Sequence, residues 1–206
     1  AARRALRPGI TERELATLIQ QELLRRGSKA AFGPAVASGP NTALPHAQPT
    51  DRTLEAGDLV WIDMGAVYKG YCSDITRTFV VGEPDSELRR IYQVVYEAQK
   101  AARAAVRPGM TAGELDQLCR RQIAAAGYGE FFTHRTGHGL GLDVHEAPYI
   151  VEGNQLVLEP GMVFTIEPGI YLPGRGGVRI EDNIVVTAEG ARSLTSYRRH
   201  WLEGAE

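Results

Sequence analysis

The chain has 206 residues, 43% of them hydrophobic and 23% charged, with a formal net charge of −2. That length builds one domain with a sizeable core, and a balanced charge with no basic run gives nucleic-acid binding no electrostatic support. No apolar stretch approaches the roughly 20 residues that span a bilayer, and the opening AARRALRPG lacks the apolar core of a secretory signal.

The first helix is read from ALRPGITERELATLIQQELLRRG, Ala5 to Gly27. Thr11 and Glu14 have capping-box spacing, Leu15, Leu18 and Leu23 are expected to line one apolar face, and Gly27 supplies the stop. Past ALPHAQP, which carries His46, the run LEAGDLVWID ends at Asp63. A Gly-containing turn then leads into GYCSD, ending at Asp74, with Tyr71 and Arg77 to either side. VWIDMGAV and YCSDITRTFVV are rich in β-branched and aromatic residues and read as strands.

A longer helix is expected from Ser86 to Val106, with Leu88, Ile91, Tyr92, Val95, Gln99 and Ala102 at helical spacing. AVRPGMTAGELDQLCRRQIAAAG, Ala105 to Gly127, then matches Ala5 to Gly27 without a gap. It repeats the capping box at Thr111 and Glu114, the apolar face at Leu115, Leu118 and Ile123, and the stop at Gly127. HRTGHGLGLDVHEAP brings His134, His138 and His145; LEPGMVFTIE ends at Glu167, and GVRIE at Glu181. MVFTIEPGIY and VRIEDNIVV read as the matching strands, and His200 as a C-terminal surface residue.

A repeat this long means two half-domains, about 1–83 and 84–206, inside one domain of 1–206. Helices segregated from hairpins make the class α+β. Two halves related by a pseudo-twofold axis are expected to bring the four acids onto one curved sheet face, with helices on its outer side. In the first copy the counterpart of the long helix would end at Leu6, so most of that element is missing and the sequence is expected to be a portion of a longer chain.

Carboxylates rarely enter apolar strands unless paired or metal-bound. One such acid is as easily a strand-edge group facing water; four at duplicated positions, Asp63, Asp74, Glu167 and Glu181, are not. Their repulsion calls for cations, and four carboxylates with one histidine suit a pair of divalent metals. A structural calcium site is disfavoured by the histidine. His138 is read as lying in a Gly-lined turn that admits a ligand close to the backbone, and His46 and His145 as substrate contacts. A two-metal centre can hold a bridging hydroxide, the nucleophile for amide hydrolysis, with a carboxylate shuttling its proton and His145 stabilising the oxyanion. Cys72 and Cys119 are too few for a disulfide framework and read as reduced thiols of a cytoplasmic protein.

The segments WIDMGAVYKGYCSDITRTFVVG, HRTGHGLGLDVHEAP, MVFTIEPGIY and GVRIEDNIVVT closely resemble the pita-bread metallopeptidases, which include methionine aminopeptidase, Xaa-Pro aminopeptidase, Xaa-Pro dipeptidase (prolidase) and creatinase. The resemblance runs from about Leu6 to Thr195 and implies the pita-bread fold. It implies that Asp63 chelates one metal, that Asp74 and Glu181 bridge, and that His138 and Glu167 complete the second. Glu167 becomes the proton shuttle, and His46, His134 and His145 surround the substrate. Arg179, two residues before Glu181, points to the proline-specific branch, in which manganese is the usual ion and cobalt or zinc substitute. The implied activity is hydrolysis of the Xaa-Pro bond, either at the N-terminus of peptides or in dipeptides with proline second. Arg179 then binds a substrate carboxylate or orients Asp74, with Tyr71 flanking. Alternatives are a methionine aminopeptidase and a catalytically silent metal-binding module on the same fold. The branch's usual N-terminal domain, which contributes to dimerisation, is absent from the sequence, leaving a homodimer as an implied assembly only.

Overall fold

The computed structural model describes residues 2–199, so His200 lies outside the described residues. The first half comprises helices α1 (Ala2–Ala5) and α2 (Glu12–Arg25), strands β1 (Lys29–Ala30) and β2 (Ala35–Ser38), a 3-10 turn over Gly39–Ala43, and strands β3 (Leu59–Met64), β4 (Ala66–Tyr68), β5 (Tyr71–Cys72) and β6 (Ile75–Val80). The second comprises α3 (Ser86–Ala105), α4 (Ala112–Ala125), a 3-10 turn over Gly129–Phe131, and strands β7 (Gly137–Gly139), β8 (Glu146–Ile150), β9 (Val163–Ile166), β10 (Gly169–Leu172), β11 (Gly176–Arg179), β12 (Asp182–Thr187) and β13 (Gly190–Ser193). No helix among the described residues is long and apolar enough to cross a membrane.

Both capping boxes form as spaced: Thr11 and Thr111 each accept from the amide three residues on, and Glu14 and Glu114 reach back to the cap amides. The starts of α2 and α4 are then held in matching ways. Glu12 N and Arg13 N donate to Arg52 O and Thr50 O, both at 3.1 Å, while Ala112 N and Gly113 N donate to Leu156 O and Asn154 O at 2.9 and 2.8 Å. The loop ahead of each acid hairpin is thereby pinned to the N-terminus of its helix, where amides lack partners within the helix.

The strands divide into antiparallel ladders: β2-β3-β6 and β1-β4-β5 in the first half, β13-β12-β9-β7-β8 and β10-β11 in the second. The acid-bearing surface is therefore assembled from separate ladders rather than one continuous sheet. The halves meet where Glu181 N donates to Thr76 O at 3.1 Å and the Thr78 hydroxyl donates to Arg179 O at 2.8 Å. Asp74, Glu167 and Glu181 fall just outside the strands they follow or precede, at breaks where the chain bends; only Asp63 lies within one, β3.

One core joins α3 and α4 to β9–β12 around Ile91, Tyr92, Leu115, Ile123, Phe164 and Ile180; a smaller one joins α2 to β2, β3 and β6 around Leu15, Ile19, Val36 and Val60. The apolar face of α2 differs from the expected one. Leu18 is 42% exposed, while Ile19, four residues after the fully buried Leu15, is 3% exposed. The helix meets its sheet along the i, i+4 row, and a residue at i+3 rotates past the contact. Cys119, the counterpart of Ile19, is likewise fully buried, and burial pushes its thiol up to about 12.

Thr111→Ala removes one side of a capping box on a core helix, and it is expected to lower the unfolding free energy by about 1 kcal/mol. Chemical denaturation monitored by circular dichroism checks this.

Candidate metal centre

Each half delivers its acids from a strand and the return of the following hairpin. Asp63 on β3 lies opposite Thr76 on β6, two residues beyond Asp74. Glu167 follows β9, and Glu181 lies between β11 and β12. His138 is the middle residue of β7, buried at 3% exposure between two glycines. This corrects the expected Gly-lined turn. A Cβ at Gly137 would overlap the Thr165 carbonyl, and one at Gly139 the Ala147 carbonyl, so the glycines let neighbouring strands approach rather than a ligand.

The candidate ligating atoms fall into overlapping groups that each fit within 4.8 Å: Asp63, Asp74 and Glu181; His138, Glu167 and Glu181; and Asp74, His138 and His145. Glu181 is shared by the first two. His138 Nε2 lies 3.3 Å from Glu167 Oε1 and 3.7 Å from Asp74 Oδ2. Its Nδ1 stands 3.0 Å from Gly139 O; a carbonyl only accepts, so Nδ1 carries the proton and Nε2 presents a lone pair toward the acids. Thr76 Oγ1 donates to Glu181 Oε2 at 2.7 Å, and Thr165 Oγ1 to Glu167 Oε1 at 3.0 Å.

The electrostatics call for cations. Asp63 Oδ1, Asp74 Oδ1 and Glu181 Oε1 are buried without a hydrogen-bond partner, which is costly for carboxylate oxygens unless something else satisfies them. Burial first, and then the charges of the neighbouring acids, raise Asp74 and Glu181 well above the ordinary carboxylate range. Burial also lifts Glu167 to about 7, with Arg179 opposing. His138 is held down to about 4, chiefly by burial. Three orphaned oxygens, a crowded set of acids and a neutral imidazole fit divalent ions.

The centre opens into a cavity of about 770 Å³ whose walls include Phe32, His46, Trp61, His134, Arg135 and His145. His145 stands edge-on to His138, ring centroids 4.1 Å apart. His134 is locked away from free rotation: Nδ1 faces Arg135 O and Nε2 faces Tyr171 Oη, both at 2.8 Å. Burial, with the nearby charge of Arg179, holds His134 down to about 3, so it is a neutral acceptor for Tyr171.

Arg179 pairs with Asp63 rather than with Asp74, Nη2 to Oδ2 at 2.8 Å. Its Nη1 also donates to Tyr171 Oη and Pro45 O, both at 3.0 Å, and its guanidinium lies 4.6 Å from the Trp61 ring. With these partners it is a fixed counter-charge inside the wall. Tyr71 does not join the site: it is 64% exposed, opposite Tyr68 in the β4–β5 hairpin. Arg77, which follows Asp74 by three residues, is buried and pairs with Asp182 at 2.7 Å. Thr76, Thr165 and Tyr171 are the neighbours that the sequence did not single out. Tyr171 corresponds to Val67 in the first copy, so the duplication carries no signal for it.

Carboxylates and one imidazole converging on a cavity of a duplicated α+β frame define a protein built to hold divalent metal ions. The chain belongs to metallopeptidase family M24, whose model matches residues 1–188. It is 50% identical over 203 residues to the Xaa-Pro dipeptidase of Pyrococcus furiosus, covering 98% of this chain and 58% of that protein. The prolidase of Pyrococcus horikoshii superposes with a TM-score of 0.96 at 49% identity, covering 98% of this chain and 58% of that one. The X-Pro aminopeptidase of Thermotoga maritima superposes with a TM-score of 0.94 at 43% identity, covering 97% and 57%. The chain thus spans a little over half the length of the curated relatives it matches. The fold is the pita-bread fold of these proteins.

The raised carboxyls set the sign of a pH effect. Glu167 near 7, and Asp74 and Glu181 raised well above the ordinary carboxylate range, hold protons that a cation must displace, whereas His138 near 4 is already neutral. Metal binding at pH 6 is therefore expected to release protons, and apparent affinity to rise as pH rises through about 7. Calorimetric titration of manganese in buffers of differing ionisation enthalpy checks both.

Proposed function

We propose that the chain is the catalytic domain of an Xaa-Pro dipeptidase, built from halves of about 1–83 and 84–206, that works with two manganese ions. The observation that carries this reading is the pair of ligand groups sharing Glu181 at the floor of a cavity walled by histidines and Trp61. A relative at 50% identity bears the name Xaa-Pro dipeptidase. Asp63, Asp74 and Glu181 would hold one ion, and His138, Glu167 and Glu181 the other, with Asp74 also between them. When bound, such ions supply a hydroxide at neutral pH and polarise the scissile carbonyl.

The remaining chemistry belongs to the side chains. An X–Pro bond is a tertiary amide with no N–H to grip, so the substrate is held by its ends and its ring. His46, Trp61 and His145 wall the space for the proline ring. His145 is the donor to the oxyanion that forms as the carbonyl is attacked. Glu167 takes the proton of the attacking water and passes it to the prolyl nitrogen as the C–N bond breaks. Arg179 keeps Asp63 in place, and Tyr171 links Arg179 to His134.

Arg135 favours the dipeptidase over the aminopeptidase reading. It lines the cavity, and its charge bears on His138, His145 and Glu167. Its guanidinium lies 4.9 Å from the Tyr149 ring, and among the described residues no carboxylate pairs with it. Arg179, the other arginine of the wall, already has Asp63. A cation at this place suits the free carboxylate that a dipeptide brings next to its proline and a longer peptide does not.

Chelator-stripped protein with manganese restored is expected to cleave Ala-Pro in preference to Ala-Pro-amide and to leave Met-Ala intact. Arg135→Gln should raise KM for Ala-Pro about tenfold, the weight of one charge-assisted hydrogen bond, and leave the amide unchanged. Cleavage of Met-Ala alone would replace this reading with a methionine aminopeptidase. Metal binding without cleavage of any of them would favour the silent module. His145→Ala is expected to keep both ions by elemental analysis and to lower kcat by about 10²–10³.

A further inference from the structure

Among the buried carboxylates outside the metal centre, Glu12 and Asp116 lie against the segments that carry the site's histidines. Glu12, at the start of α2, is fully buried. Its Oε1 accepts from Ser38 N and Ser38 Oγ, both at 2.7 Å, and from Asn41 Nδ2 at 3.1 Å; its Oε2 accepts from Thr50 N at 2.9 Å and Thr50 Oγ1 at 2.6 Å. Ser38 and Thr50 are the two ends of the loop that carries Pro45, His46, Ala47 and Gln48 into the cavity wall. One carboxylate thus closes that loop at its base.

Asp116, on α4, is also fully buried. Its Oδ1 accepts from Thr136 N at 3.1 Å, and its Oδ2 from Arg120 Nε at 2.6 Å. Arg120 in turn donates to Phe132 O at 3.2 Å and His134 O at 2.7 Å, with its guanidinium 4.6 Å from the Phe132 ring. This pair grips the segment that feeds directly into β7 and His138. Thr136 O accepts from Glu167 N at 2.8 Å, so the grip reaches both ligands.

The duplication shows that the helices do not need these acids in order to pack. The counterpart of Glu12 is Ala112, and the counterpart of Asp116 is Ala16. Each half therefore folds with alanine at the place where the other buries a charge. The two places are four residues apart, one turn along the same helix face. A buried carboxylate is costly without dense hydrogen bonding, so each half maintains one where its own histidine segment passes.

We propose that Glu12 and Asp116 are positioning residues, one per half: Glu12 fixes the loop that presents His46 to the substrate space, and Asp116 with Arg120 fixes the segment that presents His138 to the metals. The inference rests on His46 and His138 being working groups of the site proposed above. It predicts a division of effects, with Glu12 acting on the substrate wall and Asp116 on metal affinity.

The test uses the full chain, with NMR of its histidine ring signals and calorimetric titration of manganese; neither readout needs peptidase activity, so a failed substrate assay leaves both intact. Glu12→Gln is expected to shift and broaden the His46 ring signals while manganese affinity stays within about twofold of the parent. Asp116→Asn is expected to weaken manganese binding about tenfold, the usual scale for a group that orients a ligand, and to leave the His46 signals in place. Thr50→Val and Arg120→Lys are milder probes that should move the same readouts in the same directions, and they serve if either acid variant does not fold. Lower melting temperatures with unchanged His46 signals and unchanged manganese affinity would overturn the proposal and leave both acids as stabilisers alone. Equal effects of both variants on both readouts would overturn the division.

Discussion

Four carboxylates turned toward one another inside a protein repel, and most of this molecule is arranged around that repulsion. Arg179 is inserted among them and pairs directly with Asp63, and its charge also opposes the rise of Glu167 and Glu181. The hydroxyls of Thr76 and Thr165 satisfy one oxygen each on Glu181 and Glu167. What remains is a set of buried oxygens with no partner and carboxyls whose protons are held well above their ordinary range. Divalent ions complete the balance, which makes the metal centre part of the electrostatics of the fold as well as of its chemistry.

The duplicated frame solves the problem of bringing such groups together. Each half supplies a capped helix, a loop pinned to that helix start, and a hairpin with two acids. Placing the halves face to face brings four acids within reach without any one ladder carrying all of them. The frame then diverges where the two ends of the site must differ. The Asp63, Asp74 and Glu181 group offers oxygen only, whereas the His138, Glu167 and Glu181 group includes an imidazole. Tyr171 stands where the first half has Val67, and it links His134 to Arg179. Two ions in such a site would see different ligand fields, which suits a division of labour between holding a substrate and activating water.

Much of the frame was legible before any coordinates. The capping boxes, the long amphipathic helix, the four strand regions and the acids themselves all follow from local spacing, because each depends on neighbours within a few residues. The misreadings share one cause. Leu18 belongs by spacing to the helix face, His138 to a turn and Tyr71 to the site, and each depends on what another segment brings up against it. Gly137 and Gly139 read as turn residues until Thr165 and Ala147 are known to press against them. Arg179 was expected near Asp74 because Arg179 is close to Glu181 in sequence; across the sheet, its guanidinium reaches Asp63 instead.

The sequence by itself determined the class of the fold, the duplication, the identities of the candidate ligating side chains and the chemistry they suit, since a repeat and a residue type are visible in one dimension. Only the tertiary structure decided which candidate ligands come within reach of one another, which oxygens are left without partners, where Arg179 and Arg135 bring their charge, and which buried acids hydrogen-bond the histidine segments. Those are relations between residues scores of positions apart in the chain, as with Glu181 and Thr76 or Arg179 and Asp63. Burial and distance set their energies, and both come into existence only when the two halves close on each other.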